Sequence, residues 1–166
     1  MIPNAGMSNF EVEIHPSVES LVVQFLSADL SRERGGFLIG NLASVASPYS
    51  SVRRVILCPD APSTAVSLTL RAEEWQLAHE SLAADEAEES IVGWFHSHPF
   101  MPVRMSSRDK FIQTNFFGDN RQLAWIINPV NGEEAWWRWN GSSIDRVRRR
   151  GSCAAHTSNT VRDEDD

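Results

Sequence analysis

Cysteine is nearly absent from the 166-residue chain, which has only Cys58 and Cys153. Two thiols build neither a disulfide framework nor a cysteine-based zinc site, so a reducing compartment is the default expectation. An excess of basic charge is missing too. Fifteen Lys and Arg stand against 22 Asp and Glu, a formal net charge of −7. That balance argues against a protein that coats nucleic acid or a membrane surface. No apolar run approaches the ~20 residues of a membrane helix. The opening Met1-Ile2-Pro3-Asn4-Ala5-Gly6 has no basic region ahead of an apolar stretch, so no secretory signal is visible. Glycine and proline number only 9 and 8, which excludes fibrous and low-complexity profiles. The expectation is one soluble, cytoplasmic domain around a single core, with no nucleic-acid or membrane partner.

The patterning is mixed. Phe10 to Ile14 alternates apolar and acidic residues, as a half-buried strand does, and His15-Pro16 breaks it. Val18, Leu21, Val22, Phe25 and Leu26 then fall on one face of an amphipathic helix. Gly36 to Gly40, Val52 to Leu57, Ile91 to Phe95, Leu123 to Ile127 and Glu134 to Trp139 read as strands. Asn131-Gly132 marks a hairpin turn before the last of these. A second helix is expected over Ala72 to Ala84, with Trp75, Ala78 and Leu82 sharing a face and Thr69 as its cap. Arg108 to Phe116 has helical spacing, with Ile112, Asn115 and Phe116 beside Phe111. About six strands and two or three helices, without regular βαβ units, predict an α/β protein of the α+β kind rather than a doubly wound sheet. From Arg146 the chain turns basic and then ends in Asp163-Glu164-Asp165-Asp166. Residues 146–166 are expected to form a disordered tail, the domain proper spanning 10–145.

The chemistry concentrates in His96-Ser97-His98-Pro99 and, further on, Ser106 and Asp109. Histidines at i and i+2 of a strand point to one side, so both imidazoles can reach one metal ion. Asp109 adds an anionic oxygen at the start of the next helix. Two nitrogens and one carboxylate leave a fourth tetrahedral position open, the arrangement of a catalytic rather than a structural zinc. Simpler readings exist for each part. A His-x-His pair can decorate an exposed strand, and Ser106-x-x-Asp109 is also a helix capping box. The capping role and the metal role are compatible, because a capped helix start holds Asp109 rigid.

His96-Ser97-His98, seven residues, Ser106, two residues and Asp109 together resemble the signature of the JAMM metalloproteases, the JAB/MPN+ family. Glu33-Arg34-Gly35-Gly36-Phe37-Leu38-Ile39-Gly40 is similar to the upstream glutamate segment of that family. The likeness extends over about 10–145 and includes the Asn128-Pro129 turn. Two departures are visible. Met105 rather than proline precedes Ser106, and the stretch from Asp109 to Leu123 is short where longer members carry substrate-binding insertions. The resemblance implies a cytidine-deaminase-like architecture, with a curved, largely antiparallel mixed sheet flanked by helices.

By the same resemblance, His96, His98 and Asp109 would bind one Zn2+ per chain, Glu33 would be the general base, and Ser106 would donate to the oxyanion. Gly35 and Gly36 would serve packing and turn geometry. The implied activity is a zinc isopeptidase or peptidase that removes or matures a ubiquitin-like modifier at its C-terminal tail, in the company of activating and conjugating enzymes. A peptidase for a sulfur-carrier precursor and a non-catalytic MPN scaffold are the alternatives. Other His-x-His hydrolases fit less well. An Asp-His pair of the metallo-β-lactamase type does not follow His98, amidohydrolase barrels need a longer chain, and the His-x-Glu and Cys-x-x-Cys of zinc deaminases are absent. His15 and His79 lack a partner acid at ligand spacing, and His156 falls in the expected tail. Trp125, Trp136, Trp137 and Trp139 read as core and sheet-face residues. Trp94 is expected beneath the ligands, and Cys58 is a small buried residue rather than a nucleophile.

Overall fold

The computed structural model describes residues 10–85 and 87–151. In chain order they form β1 (Glu11–Ile14), α1 (Pro16–Ser27), β2 (Gly35–Asn41), β3 (Tyr49–Leu57), β4 (Ser63–Thr64), β5 (Ser67–Leu68), α2 (Ala72–Ala84), β6 (Ser90–Ser97), α3 (Ser107–Phe116), β7 (Leu123–Ile127), β8 (Glu134–Trp139) and β9 (Ile144–Arg149). The mixed α+β class read from the sequence is the class observed. Its sheet curves all the way to closure. Seven strands form a barrel in the order β1-β3-β2-β6-β7-β8-β9, and β9 pairs back onto β1. Antiparallel pairs join β2 to β3 and β6, and β8 to β7 and β9. Parallel pairs join β1 to β3 and β9, and β6 to β7. The short strands β4 and β5 form a separate hairpin.

Alternation along the strands sorts the core into two clusters. Val18, Val22 and Leu26, the buried stripe of α1, pack with Val12, Leu38, Phe95, Trp125 and Trp136. Ala78 of α2 and Ile112 of α3 pack instead with Phe37, Ile39, Trp94 and Ile126. A residue without a side chain is required where strands come closest. Gly93 has φ +152°, and a Cβ there would overlap the Leu123 carbonyl oxygen of the neighbouring strand. It sits where the β2–β6 register shifts, so a bulge bends β6 just before the histidines.

Two expectations need correction. Residues 146–149, assigned to a tail, belong to β9, and Val147 is buried in the first cluster. The acids that β1 turns outward supply the counter-charges. Arg148 lies 3.6 Å from Glu11 and Arg150 3.7 Å from Glu13, while Arg149 bridges Glu19 of α1 and Glu134 of β8. The remainder of the expected tail, 152–166 with His156, lies outside the described residues. Thr69 does not cap α2. The helix starts after Arg71, whose N–H donates to Glu74 at 2.7 Å, and the Thr69 hydroxyl accepts from Arg108 instead. In α3 the buried face is Asp109, Ile112 and Gln113, and Phe111 and Phe116 are exposed, because a polar pair of Asp109 and Gln113 rather than the aromatics is turned toward β6.

Candidate metal centre

β6 delivers His96 and, one residue past its end, His98. His96 and His98 are both buried, and their Nε2 atoms lie 3.1 Å apart on one side of the strand. α3 delivers the carboxylate. Ser106 is its N-cap: the hydroxyl accepts the Asp109 N–H at 3.1 Å, and the Ser106 N–H donates to Asp109 Oδ2 at 3.0 Å. The capping box read from the sequence is therefore present, and it aims Asp109 at the imidazoles. Asp109 Oδ1 lies 3.2 Å from His96 Nε2, and Oδ2 lies 3.0 Å from His98 Nε2. The remaining corner is Glu33, in the loop before β2, with Oε2 3.9 Å from His98 Nε2.

Each candidate ligand is held from behind. The Nδ1 of His98 lies 2.8 Å from the Pro102 carbonyl, which fixes a proton on Nδ1 and turns the Nε2 lone pair inward. Trp94 stacks beneath His96, centroids 4.3 Å apart and rings 13° from parallel, as expected of it. Its indole N–H donates at 2.7 Å to Gln113, one helical turn beyond Asp109. The Gln113 amide in turn donates to the carbonyls of Phe117 and Gln122. This buried carboxamide ties α3 to β6, and the sequence reading did not single it out. Its spacing of i+4 from Asp109 was the available signal. Gly35, opposite His96 in the β2–β6 pairing, lets the two strands close. A Cβ there would overlap the Phe95 carbonyl and come within 2.7 Å of Leu68. Gly35 and Gly36 both lie inside β2, so packing rather than a turn accounts for them.

The electrostatics match a cation site. Burial opposes charge on Asp109, yet His96, His98 and the Ser106 amide hold its carboxyl well below the usual range. Burial lowers the basicity of His98, but the hydrogen bonds to Asp109 and the Pro102 carbonyl outweigh it and the net shift is upward. Glu33 goes the other way. It is 1% exposed, neither carboxylate oxygen has a hydrogen-bond partner, and burial pushes its pKa up to about 7. A buried carboxylate without a partner is costly unless a ligand meets it.

Zinc bonds of about 2.0–2.1 Å at tetrahedral angles put neighbouring donor atoms roughly 3.3 Å apart. The gaps among His96, His98 and Asp109 are 3.0–3.2 Å, so these three fit one ion. One donor atom from each of the three and from Glu33 lie within 4.8 Å of one another. The other two described histidines stay apart from this group. His15 caps α1 through Nδ1, and exposed His79 stacks on Trp75. Cys58 is buried, and burial pushes its thiol up to about 12. Trp125 and Trp136 stack within the core.

Comparison with known proteins agrees with this geometry. The family model described as prokaryotic homologs of the JAB domain matches residues 15–139. The histone deubiquitinase MYSM1 of Branchiostoma floridae is 26% identical over 171 aligned positions, covering 93% of this chain. The aligned region is 20% of that relative, so the chain spans about a fifth of its length. The solution structure of protein DSY2949 from Desulfitobacterium hafniense superposes with a TM-score of 0.68 at 19% identity, over 83% of this chain and 90% of that one, and shows the same fold.

Proposed function

The chain belongs to the prokaryotic JAB-domain family, and on that premise we propose that it is a zinc-dependent peptidase that cleaves at the C-terminal tail of a ubiquitin-like modifier, releasing it from a conjugate or a precursor. The observation that carries the reading is the buried group of Glu33, His96, His98 and Asp109, in which three donors fit a metal ion and the carboxylate of the fourth residue, Glu33, lacks any hydrogen-bond partner. The deubiquitinase named above supports the substrate class.

His96, His98 and Asp109 would hold the zinc. Bound there, the ion supplies Lewis acidity and lowers the pKa of water toward ~7. The protein's own groups do the rest. The Pro102 carbonyl keeps the His98 proton on Nδ1, away from the metal side. Glu33, raised toward neutrality by burial, takes the proton of the attacking water at a carboxylate oxygen and passes it to the leaving amine. The Ser106 hydroxyl accepts from the Asp109 N–H, which leaves its own proton free to donate to the scissile carbonyl oxygen as charge builds there.

The test is metal analysis of the purified protein together with cleavage of a ubiquitin-like fusion and of an isopeptide-linked conjugate. About one zinc per chain is expected, with cleavage abolished by a chelator and restored by zinc. Glu33→Gln should keep the zinc and lose at least ~10² in turnover. Cleavage by metal-free protein, or by Glu33→Gln at the parent rate, refutes the proposal. Full zinc content with no cleavage of either substrate class would favour a scaffold.

A further inference from the structure

Gly35 of β2 pairs with His96 of β6. One residue further along, Arg34 and Ser97 stand where an antiparallel ladder exchanges two backbone hydrogen bonds. One of the two is made normally, the Ser97 N–H donating to the Arg34 carbonyl at 2.9 Å. The other is substituted. The Arg34 N–H donates at 2.9 Å to the Ser97 hydroxyl. The side chain of the residue between the two histidines thus closes the last rung of the sheet as β2 peels away into the loop that carries Glu33.

This rung has a particular bearing on Glu33. The Glu33 carboxylate makes no hydrogen bond, so nothing bonded to its tip sets its place. Its position is inherited from the backbone on either side. The Glu33 N–H donates to the Thr64 carbonyl at 2.8 Å, and the next residue is the clasped Arg34. The Arg34 side chain extends the anchorage, donating to the Phe25 carbonyl at 2.6 Å with its guanidinium 3.9 Å from the centre of the Phe25 ring. Ser97 itself is 1% exposed, and by alternation it faces away from the imidazoles. It can therefore set the distance between the Glu33 loop and the histidine strand without touching the metal ligands' side chains.

We propose that Ser97 is the positioning residue for Glu33: its hydroxyl, in place of a backbone carbonyl, clasps Arg34 and thereby holds the Glu33 carboxylate over the metal-binding face. The inference rests on the reading of Glu33 as the proton-carrying group. Ser97→Ala removes the acceptor and leaves the Arg34 N–H without a partner. Ser97→Thr keeps the hydroxyl. Ser97→Cys keeps the volume with a weaker acceptor.

The experiment measures amide hydrogen exchange over residues 33–35 in metal-free protein, zinc content, and kcat and KM on a linear ubiquitin-like fusion. In Ser97→Ala the Arg34 amide should exchange at least ~10-fold faster. Zinc content and KM should stay at parent values while kcat falls on the order of 10–10²-fold, as for a reacting group displaced by about an ångström. Ser97→Thr should recover both exchange and kcat, and Ser97→Cys should fall between, which serves if the alanine variant does not fold. Parent-like exchange in the alanine and cysteine variants overturns the proposal, as does a kcat loss that the threonine variant fails to recover. Loss of zinc would also overturn it, since Ser97 would then act through the ligands. If the parent cleaves nothing while exchange follows the hydroxyl as described, the clasp stands and the peptidase reading falls.

Discussion

Replacing Glu33 by glutamine should abolish turnover and, in the metal-free protein, raise stability in a pH-dependent way. Glu33 is 1% exposed, has no hydrogen-bond partner, and burial lifts its pKa from 4.5 to about 7. A carboxyl whose folded pKa lies above its unfolded one carries an extra proton in the folded state between those values. Stability therefore falls as pH rises through about 4.5 to 7, and levels off above. At about 1.36 kcal/mol per pH unit, the full penalty is about 3 kcal/mol, nearly all of it present at pH 7. Glutamine has the same shape and no charge to bury. Its amide is as poorly met as the neutral acid, so the informative quantity is the change in the gap between the two proteins. From pH 5 to pH 8 that gap should widen by about 2–3 kcal/mol in favour of the variant. For a domain of this size the shift in Tm is roughly 5–10 °C. Thermal melts of chelator-treated parent and Glu33→Gln at the two pH values measure it. A gap that stays flat or narrows as pH rises refutes the account of Glu33 as an uncompensated buried acid.

Three further outcomes are expected. Asp109→Asn removes the one carboxylate that touches both imidazoles, so the purified variant should carry markedly less zinc than the parent, read by elemental analysis. Ser106→Ala should keep its zinc, lose about 1 kcal/mol of stability with the helix cap, and lose on the order of 10²–10³ in kcat if the hydroxyl meets the developing oxyanion; parent-like kinetics would confine Ser106 to capping. Gly35→Ala forces a methyl onto the Phe95 carbonyl and against Leu68, so denaturant titration should show a loss of more than ~2 kcal/mol, or no soluble protein. A variant within ~0.5 kcal/mol of the parent would show that β2 and β6 can part without cost.

The candidate metal site was legible in the sequence because its parts follow local rules. Alternation puts His96 and His98 on one side, and a capping box puts Asp109 at a helix start. What escaped depended on pairings between distant segments. Arg146 to Arg150 look like a solvated basic run until they are set against Glu11, Glu13 and Glu19, more than a hundred residues earlier. Local propensity has no means of recognising a strand whose counter-charges lie on another strand. Gln113 and Ser97 were passed over for a related reason. Each is an ordinary polar residue in sequence, and its importance comes from a partner across the fold, the Trp94 indole for one and the Arg34 N–H for the other. Phe111 and Phe116 show the converse, apolar residues at helical spacing that face solvent because the buried side of α3 is given to Asp109 and Gln113.

Closure of the sheet also fixes where mechanical load enters the domain. β1 begins at Glu11 opposite Arg148, and the Arg150 N–H donates to the Val12 carbonyl, so the chain joins and leaves the barrel wall at one point. In a ring of seven strands β6 stands three strands from that seam in either direction. Tension applied through sequence joined at both ends would be borne first by the seam, a parallel pair laced with arginine–carboxylate contacts. Its strands would have to part before strain reached the histidines. The candidate site thus lies on the wall farthest from the seam, and a circular permutant that links residue 150 to residue 11 through a few glycines should retain it.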